Sequence, residues 1–180
     1  MFKINKLYPW AIFIIGMIIF SLTVPSEYQS FYIARFGLFV KTMAEHGISI
    51  FNFQFGQPYP DYLAAPTLIS YLSSLLFGKI SVFTTTLPNI IVAALTLVFV
   101  YLIGAIHSRK WGIYATILTF FTMDFFNNAS TLSPDAYITL ITCIGFYIAY
   151  TAHLYGYKKR LFLYYLIVRC CLPYWRQKFS

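Results

Sequence analysis

Apolar residues run nearly unbroken from Leu7 to Val24, from Thr85 to Ile106, from Trp111 to Phe126 and from Pro134 to Leu154. A helix needs about 20 mostly apolar residues to cross a bilayer, so these runs predict four transmembrane helices, the third on the short side. The stretch from Pro66 to Gly78 is also apolar but has only about two-thirds of that length, so it predicts a helix over 66–77 at the membrane surface. Upstream, Phe31, Ala34, Leu38 and then Thr42 or Met43 recur at helical spacing, with Gln29, Arg35, Lys41 and Glu45 interspersed. That pattern predicts a second interfacial helix over 28–46, stopped by Gly47. Between the two surface helices, "FGQPYPDY" reads as an irregular Pro-rich turn. The expected fold is an all-α polytopic membrane protein: four spans, 7–24, 85–106, 111–126 and 134–154, with two juxtamembrane helices in an outer loop over 25–84.

Composition agrees with a bilayer environment. The chain is 59% hydrophobic and only 10% charged, with a mean hydropathy of +0.69, which excludes an ordinary soluble domain. A net charge of +8 raises nucleic acid as a partner, but that needs a basic stripe on a solvated face. Here the basic residues form short clusters between apolar runs, as topology signals do, so no nucleic-acid partner is expected. Cys143, Cys170 and Cys171 have no metal-ligand spacing with the three histidines.

The clusters orient the chain. Lys3 and Lys6 precede the first span, Arg109 and Lys110 follow the second, and Lys158, Lys159 and Arg160 follow the fourth. The excess of Lys and Arg on cytoplasmic loops puts all seven, and the N-terminus, in the cytoplasm. All five acids, Glu27, Glu45, Asp61, Asp124 and Asp135, then fall on or near the opposite face. Each has an ordinary explanation: Asp135 follows Ser133 and Pro134 at a helix start, Asp124 and Glu27 lie near span ends, and Glu45 suits a solvated face. Their gathering on one face is what suggests a site, since ionisable groups in membrane segments are costly.

The order of elements, with "PYPDY" (58–62), "LLFG" (75–78) and an aspartate opening the fourth span, resembles the N-terminal part of the GT-C glycosyltransferases. Within them it is most similar to the branch of bacterial protein O-mannosyltransferases and lipid A aminoarabinose transferases. The resemblance covers nearly the whole chain to Leu154. It implies an inverting transfer of a sugar from a polyprenyl-phosphate carrier to a lipid or protein acceptor, on the outer face of a bacterial inner membrane. Ser26-Glu27 lies where the family carries an acidic pair, with Ser in place of the first acid; matching "RFGLFVKTM" (35–43) to the family's helix would instead put Tyr32-Ile33 there. Asp61 and its neighbours Tyr59 and Tyr62 match the family's substrate-contacting turn, with Tyr62 in place of a lysine. In such chemistry a carboxylate takes the acceptor's proton, a role open to Glu27 or Asp135. Arg35 or Lys41 would face the departing phosphate. The carboxylates are compatible with a divalent ion, although no residue pattern specifies one.

After Arg160 a fifth apolar run, "LFLYYLIV", stops at Arg169, and residues 161–180 read as an aborted span with a basic tail. The expectation is a truncated chain, inactive alone. The competing expectation is a small non-enzymatic membrane subunit that binds lipid carrier or partner helices; nothing in the pattern sets an oligomeric state. A transporter is disfavoured because the spans lack paired interruptions.

Overall fold

The computed structural model describes residues 7–28, 31–49, 51–54, 57–156 and 164. Lys3, Lys6, the Lys158–Arg160 cluster and, apart from Tyr164, the run over 161–180 lie outside the described residues. Seven helices and a two-stranded ribbon follow in the order α1 (Leu7–Leu22), α2 (Phe31–His46), β1 (Phe51–Gln54), β2 (Gln57–Leu63), α3 (Ala64–Leu76), α4 (Val82–Ala105), α5 (Arg109–Phe120), α6 (Met123–Ala129) and α7 (Asp135–Tyr155).

Helix α4 is the axis, and the other six helices all touch it. Its start is set locally: Ser81 Oγ accepts the Thr84 amide at 3.2 Å, and Thr84 Oγ1 accepts the Ser81 amide at 2.9 Å, a capping box. Helix α1 packs antiparallel to it through Gly16, whose missing side chain leaves room for Ala94 and Leu97. At the loop into α5, a Cβ on Gly104 would come within 2.8 Å of the Gly112 Cα, so two glycines let these backbones meet. Phe20 is fully buried with Ile90, Ala93, Leu97 and Ala129.

The helices define two ends. At one, the Arg109 guanidinium lies 3.7 Å above the Tyr8 ring, and His107 Nε2 and the Tyr150 hydroxyl share a hydrogen bond of 2.7 Å. This end carries Arg109 and Lys110. At the other lie the end of α1, the ribbon, the start of α4, helix α6 and the start of α7, and with them the acids. Arg109 and Lys110 thus lie at the end away from the acids, while Arg35, Lys41 and Lys79 share the acid-bearing end.

Two helices, α4 and α7, are long and apolar enough to cross a membrane. Only 17% of the α7 apolar window is buried, unlike the core helix of a soluble protein. Helix α1 has 16 residues and α5 has 12, or roughly 24 and 18 Å of helix at 1.5 Å per residue.

Three expectations are corrected. The run 111–126 is not one helix: α5 ends at Phe120 and α6 begins at Met123. Thr122 turns the chain, its hydroxyl donating to the Leu118 carbonyl at 3.1 Å and its amide to Thr119 at 3.1 Å. Asp124 in the first turn of α6 favours a new N-terminus, and the break lets Phe120, Phe125 and Phe126 wrap Phe20, with ring centroids 5.7–6.0 Å away. The turn "FGQPYPDY" contributes to an antiparallel ribbon rather than an irregular loop: Asn52 pairs with Tyr59 and Phe51 with Leu63, which leaves Pro60, Asp61 and Tyr62 in a bulge. Helix α2 has the expected period but another phase. Its buried face is Phe36, Phe39, Val40 and Met43, while Leu38 is exposed; the bulkier stripe takes the interior. Gly47 ends α2 as expected, at φ +91°, where its lack of a side chain removes the steric penalty.

Candidate functional site

The site is built around the first two turns of α4. Tyr28, next to Glu27, shares a 3.1 Å hydrogen bond with Thr85 Oγ1. Its ring occupies the space where a Cβ on Gly37 of α2 would sit. Tyr28 and Ile33 also pack on Phe36, Phe39 and Leu132, so the segment between α1 and α2, helix α2 and the α6–α7 connection meet in one apolar cluster.

Asn89 fixes the α7 side. Its buried amide donates to the carbonyls of Thr131 (2.9 Å) and Ser133 (2.7 Å). Those two carbonyls precede α7 and have no helical donor, so one side chain holds the connection against α4. Ser133 Oγ accepts the Asp135 amide at 3.3 Å, but the N-cap is Pro134 rather than the expected Ser133, because Pro134 already adopts a helical φ and ψ one residue before the helix starts.

The predicted site residues divide accordingly. Glu27 is exposed and Asp135 is half-buried. Each stands a few residues from a member of the shared cluster, Glu27 beside Tyr28 and Asp135 three residues after Leu132. Arg35 is half-buried on α2, beside the buried Phe36 and one turn before Phe39. Lys41 is exposed and pairs with Glu45 at 3.7 Å, both side chains more than half accessible; such a pair contributes little to stability. It lies about 120° around the helix from Arg35, at 3.6 residues per turn, so the two cations do not converge. Asp61 sits in the bulge of the ribbon with Tyr59 and Tyr62 flanking it, and β1 leans on α2 and α3. The side chains of these three residues lie outside the described part. Among the described residues no group of three His, Cys, Asp or Glu side chains is arranged to hold a metal.

A second feature was not anticipated. Helix α3 buries Thr67, Ser70, Ser73 and Ser74 and exposes Ile69, Leu72, Leu75 and Leu76, the reverse of a helix on a soluble core. The hydroxyl face meets Thr84 of α4, a helix in which Thr85, Thr86 and Asn89 are buried as well. Pro88 explains one contact. Having no N–H, it leaves the Thr84 carbonyl without its helical donor, and Ser73 Oγ donates to that carbonyl at 2.8 Å. Ser74 Oγ donates to Ser70 O at 3.0 Å and lies 3.4 Å from Thr84 Oγ1. The signal was present as the spacing 67, 70, 73, 74, but window-averaged hydropathy masks it.

Comparison with protein-family models finds no match, and comparison with curated proteins and with solved structures finds none either.

Proposed function

We propose that the chain is a membrane-embedded module, the N-terminal part of a GT-C-type glycosyltransferase, whose acid-bearing end takes a sugar on a polyprenyl-phosphate carrier. Helices α1, α4, α5 and α7 alternate in direction across the bilayer, with α5 and α6 as a broken third pass. The N-terminus and Arg109-Lys110 lie on the cytoplasmic side of a bacterial inner membrane. Glu27 or Asp135 acts as the base that takes the acceptor hydroxyl's proton. Arg35 pairs with the phosphate, a role suited to a planar guanidinium.

The observation supporting this is the convergence, on the first two turns of α4, of the segments bearing Glu27, Arg35 and Asp135, held by Tyr28–Thr85, the Phe36–Phe39–Leu132 cluster and the Asn89 clamp. The inverted polarity of α3 and the exposed apolar surface of α7 support immersion in lipid.

The test is photo-crosslinking of the purified chain in nanodiscs to a polyprenyl-phosphate sugar carrying a diazirine in its lipid tail. Labelling that competes with unlabelled carrier, exceeds labelling by the phosphate-free polyprenol and drops at least tenfold in Arg35→Ala is expected. Equal labelling by carrier and polyprenol, unchanged by Arg35→Ala, would instead leave the chain as a lipid-exposed subunit with no phosphate site.

A further inference from the structure

The end of the bundle away from the acids is held together around one short loop. Tyr8, in the first turn of α1, stacks on the buried Tyr101 of α4 with ring centroids 6.3 Å apart. The Arg109 guanidinium, at the start of α5, lies 3.7 Å from the Tyr8 centroid. Two residues earlier, His107 is tied to Tyr150 of α7 by their 2.7 Å hydrogen bond. The segment 107–110 is thus fastened to both α1 and α7, and it presents His107, Arg109 and Lys110 as exposed side chains.

This basic platform has no counter-charge among the described residues. The acids Glu27, Glu45, Asp124 and Asp135 belong to the opposite end, where Lys41 has Glu45 as its partner. Contact with a ring face uses none of the N–H donors of Arg109, because those lie in the guanidinium plane and point away from its carbon. The Tyr101–Tyr8–Arg109 contacts therefore set where the guanidinium sits and leave its donors for an anion.

Aromatic residues single out the same end. Among the described tryptophans and tyrosines, Trp10, Trp111, Tyr114 and Tyr155 are the ones more than half accessible. All four lie in the first two turns of α1 or α5 or in the last turn of α7. The exposed rings near the acids are phenylalanines, Phe77, Phe83 and Phe121. Tryptophan and tyrosine favour the headgroup level of a bilayer, where the ring body is in hydrocarbon and the N–H or O–H is wet; phenylalanine has no polar handle. The exposed cations and the amphipathic rings thus occupy one level of the molecule.

We infer that this end is a docking surface for anionic phospholipid, with Arg109 and Lys110 pairing with the headgroup phosphate and the four aromatic rings at the level of the glycerol and upper acyl chains. The inference rests on the membrane reading proposed above and adds to it the lipid chemistry that this end selects. Charge complementarity decides between headgroups. A zwitterionic lipid brings its own cation to the platform, whereas an anionic lipid supplies the net negative charge that the protein lacks there.

The experiment is tryptophan quenching of the full chain in phosphatidylcholine nanodiscs, in a Trp175→Phe background so that emission comes from Trp10 and Trp111. A small share of the lipid is brominated near the headgroup, either as phosphatidylglycerol or as phosphatidylcholine. Brominated phosphatidylglycerol is expected to quench as if enriched at least about fivefold around the two tryptophans, the ratio that corresponds to the ~1 kcal/mol contributed by one surface Lys or Arg. The enrichment should disappear when Arg109→Gln and Lys110→Gln are combined, shrink in high salt, and persist in Lys79→Gln at the opposite end. Equal quenching by the two lipids in the chain with Arg109 and Lys110 intact would overturn the inference and leave the membrane reading standing. Enrichment that survives the double variant, or that falls as far in Lys79→Gln, would overturn it in the same way. Loss of enrichment in millimolar inorganic phosphate at constant ionic strength would also overturn it, by making the occupant a free anion. Quenching by neither lipid would remove the membrane reading and the inference with it.

Discussion

Proline at position 88 and serine at position 73 make a matched pair, and removing them separately and together should give unequal results. Pro88 lies inside α4 and cannot donate to the Thr84 carbonyl. Ser73 Oγ supplies that bond at 2.8 Å, from a side chain that is 8% accessible to a residue that is 3% accessible. In Ser73→Ala the carbonyl is left buried and unpaired, at a cost of about 1–3 kcal/mol in a protein interior. Side-chain hydrogen bonds in membrane proteins average nearer ~0.6 kcal/mol and reach ~1.7. The burial here favours the upper part of that range, so the expected loss is about 1–2 kcal/mol.

In a Pro88→Ala background the alanine N–H can bond the Thr84 carbonyl as in any helix. The serine then becomes redundant, and Ser73→Ala should cost no more than about 0.5 kcal/mol. Pro88→Ala alone should stabilise α4, since proline in a helix interior is disfavoured by up to ~3 kcal/mol. The double-mutant cycle isolates the coupling, expected at about 1 kcal/mol. Reversible denaturant unfolding in mixed micelles, followed by tryptophan fluorescence, measures all four species. A Ser73→Ala cost that is the same in the unaltered chain and in the Pro88→Ala background would refute the claim that the proline creates the need for the serine.

Three further outcomes follow from the packing. Asn89→Ala removes both donors to Thr131 and Ser133 and should cost about 2–3 kcal/mol; hydrogen exchange should rise first at the α7 N-terminus, and exchange unchanged there would discount the clamp. Gly104→Ala drives a Cβ to 2.8 Å from the Gly112 backbone, an overpacking cost of about 1–3 kcal/mol that exceeds the roughly 1 kcal/mol gained in helix propensity. Gly37→Ala meets only the movable Tyr28 ring, so its Tm should fall less, and the reverse order would contradict this account. Cysteines at Gln57 and Lys110, both exposed and at opposite ends, should label from opposite sides of a sealed vesicle; labelling of both from one side would end the proposed topology.

What could be read from the chain before folding was whatever is decided locally. The apolar runs and the stop at Gly47 are set by a few adjacent residues, and the bounds of helices α1, α4 and α7 fall within three residues of the expected ones at either end. The break at Thr122 was not readable, because it depends on Phe20 of a distant helix drawing in the phenylalanines on either side of it. Nor was the phase of α2. Both of its stripes have helical period, and the one containing Phe36 and Phe39 prevails because Tyr28 and Leu132 arrive to cover it. The acids were legible as a group at one end, but whether two carboxylates face a common substrate depends on loop geometry that periodicity does not encode.

The hydroxyl layer was missed for a different reason. Hydropathy scales treat Ser and Thr as nearly neutral, so "TLISYLSSLL" and "TTTLPN" vanish into the apolar windows around them. In water the rule that apolar faces point inward would also have misled, since it assigns Ile69, Leu72 and Leu76 to the interior of α3. In the membrane setting proposed above, lipid would remove the advantage of burying them, because hydrocarbon would surround the outer face as well. What remains is the cost of leaving a hydroxyl or a proline-freed carbonyl in a medium that cannot hydrogen-bond, and that cost turns Thr67, Ser70 and Ser73 toward the partners α4 offers. The same reasoning gives a rule applicable to the bare sequence. Where a short apolar helix carries Ser or Thr at i, i+3 and i+6 or i+7, and the next helix has proline within two turns of its start, the hydroxyl face points inward. The serine nearest the carbonyl that the proline frees is its partner, here Ser73 and Thr84.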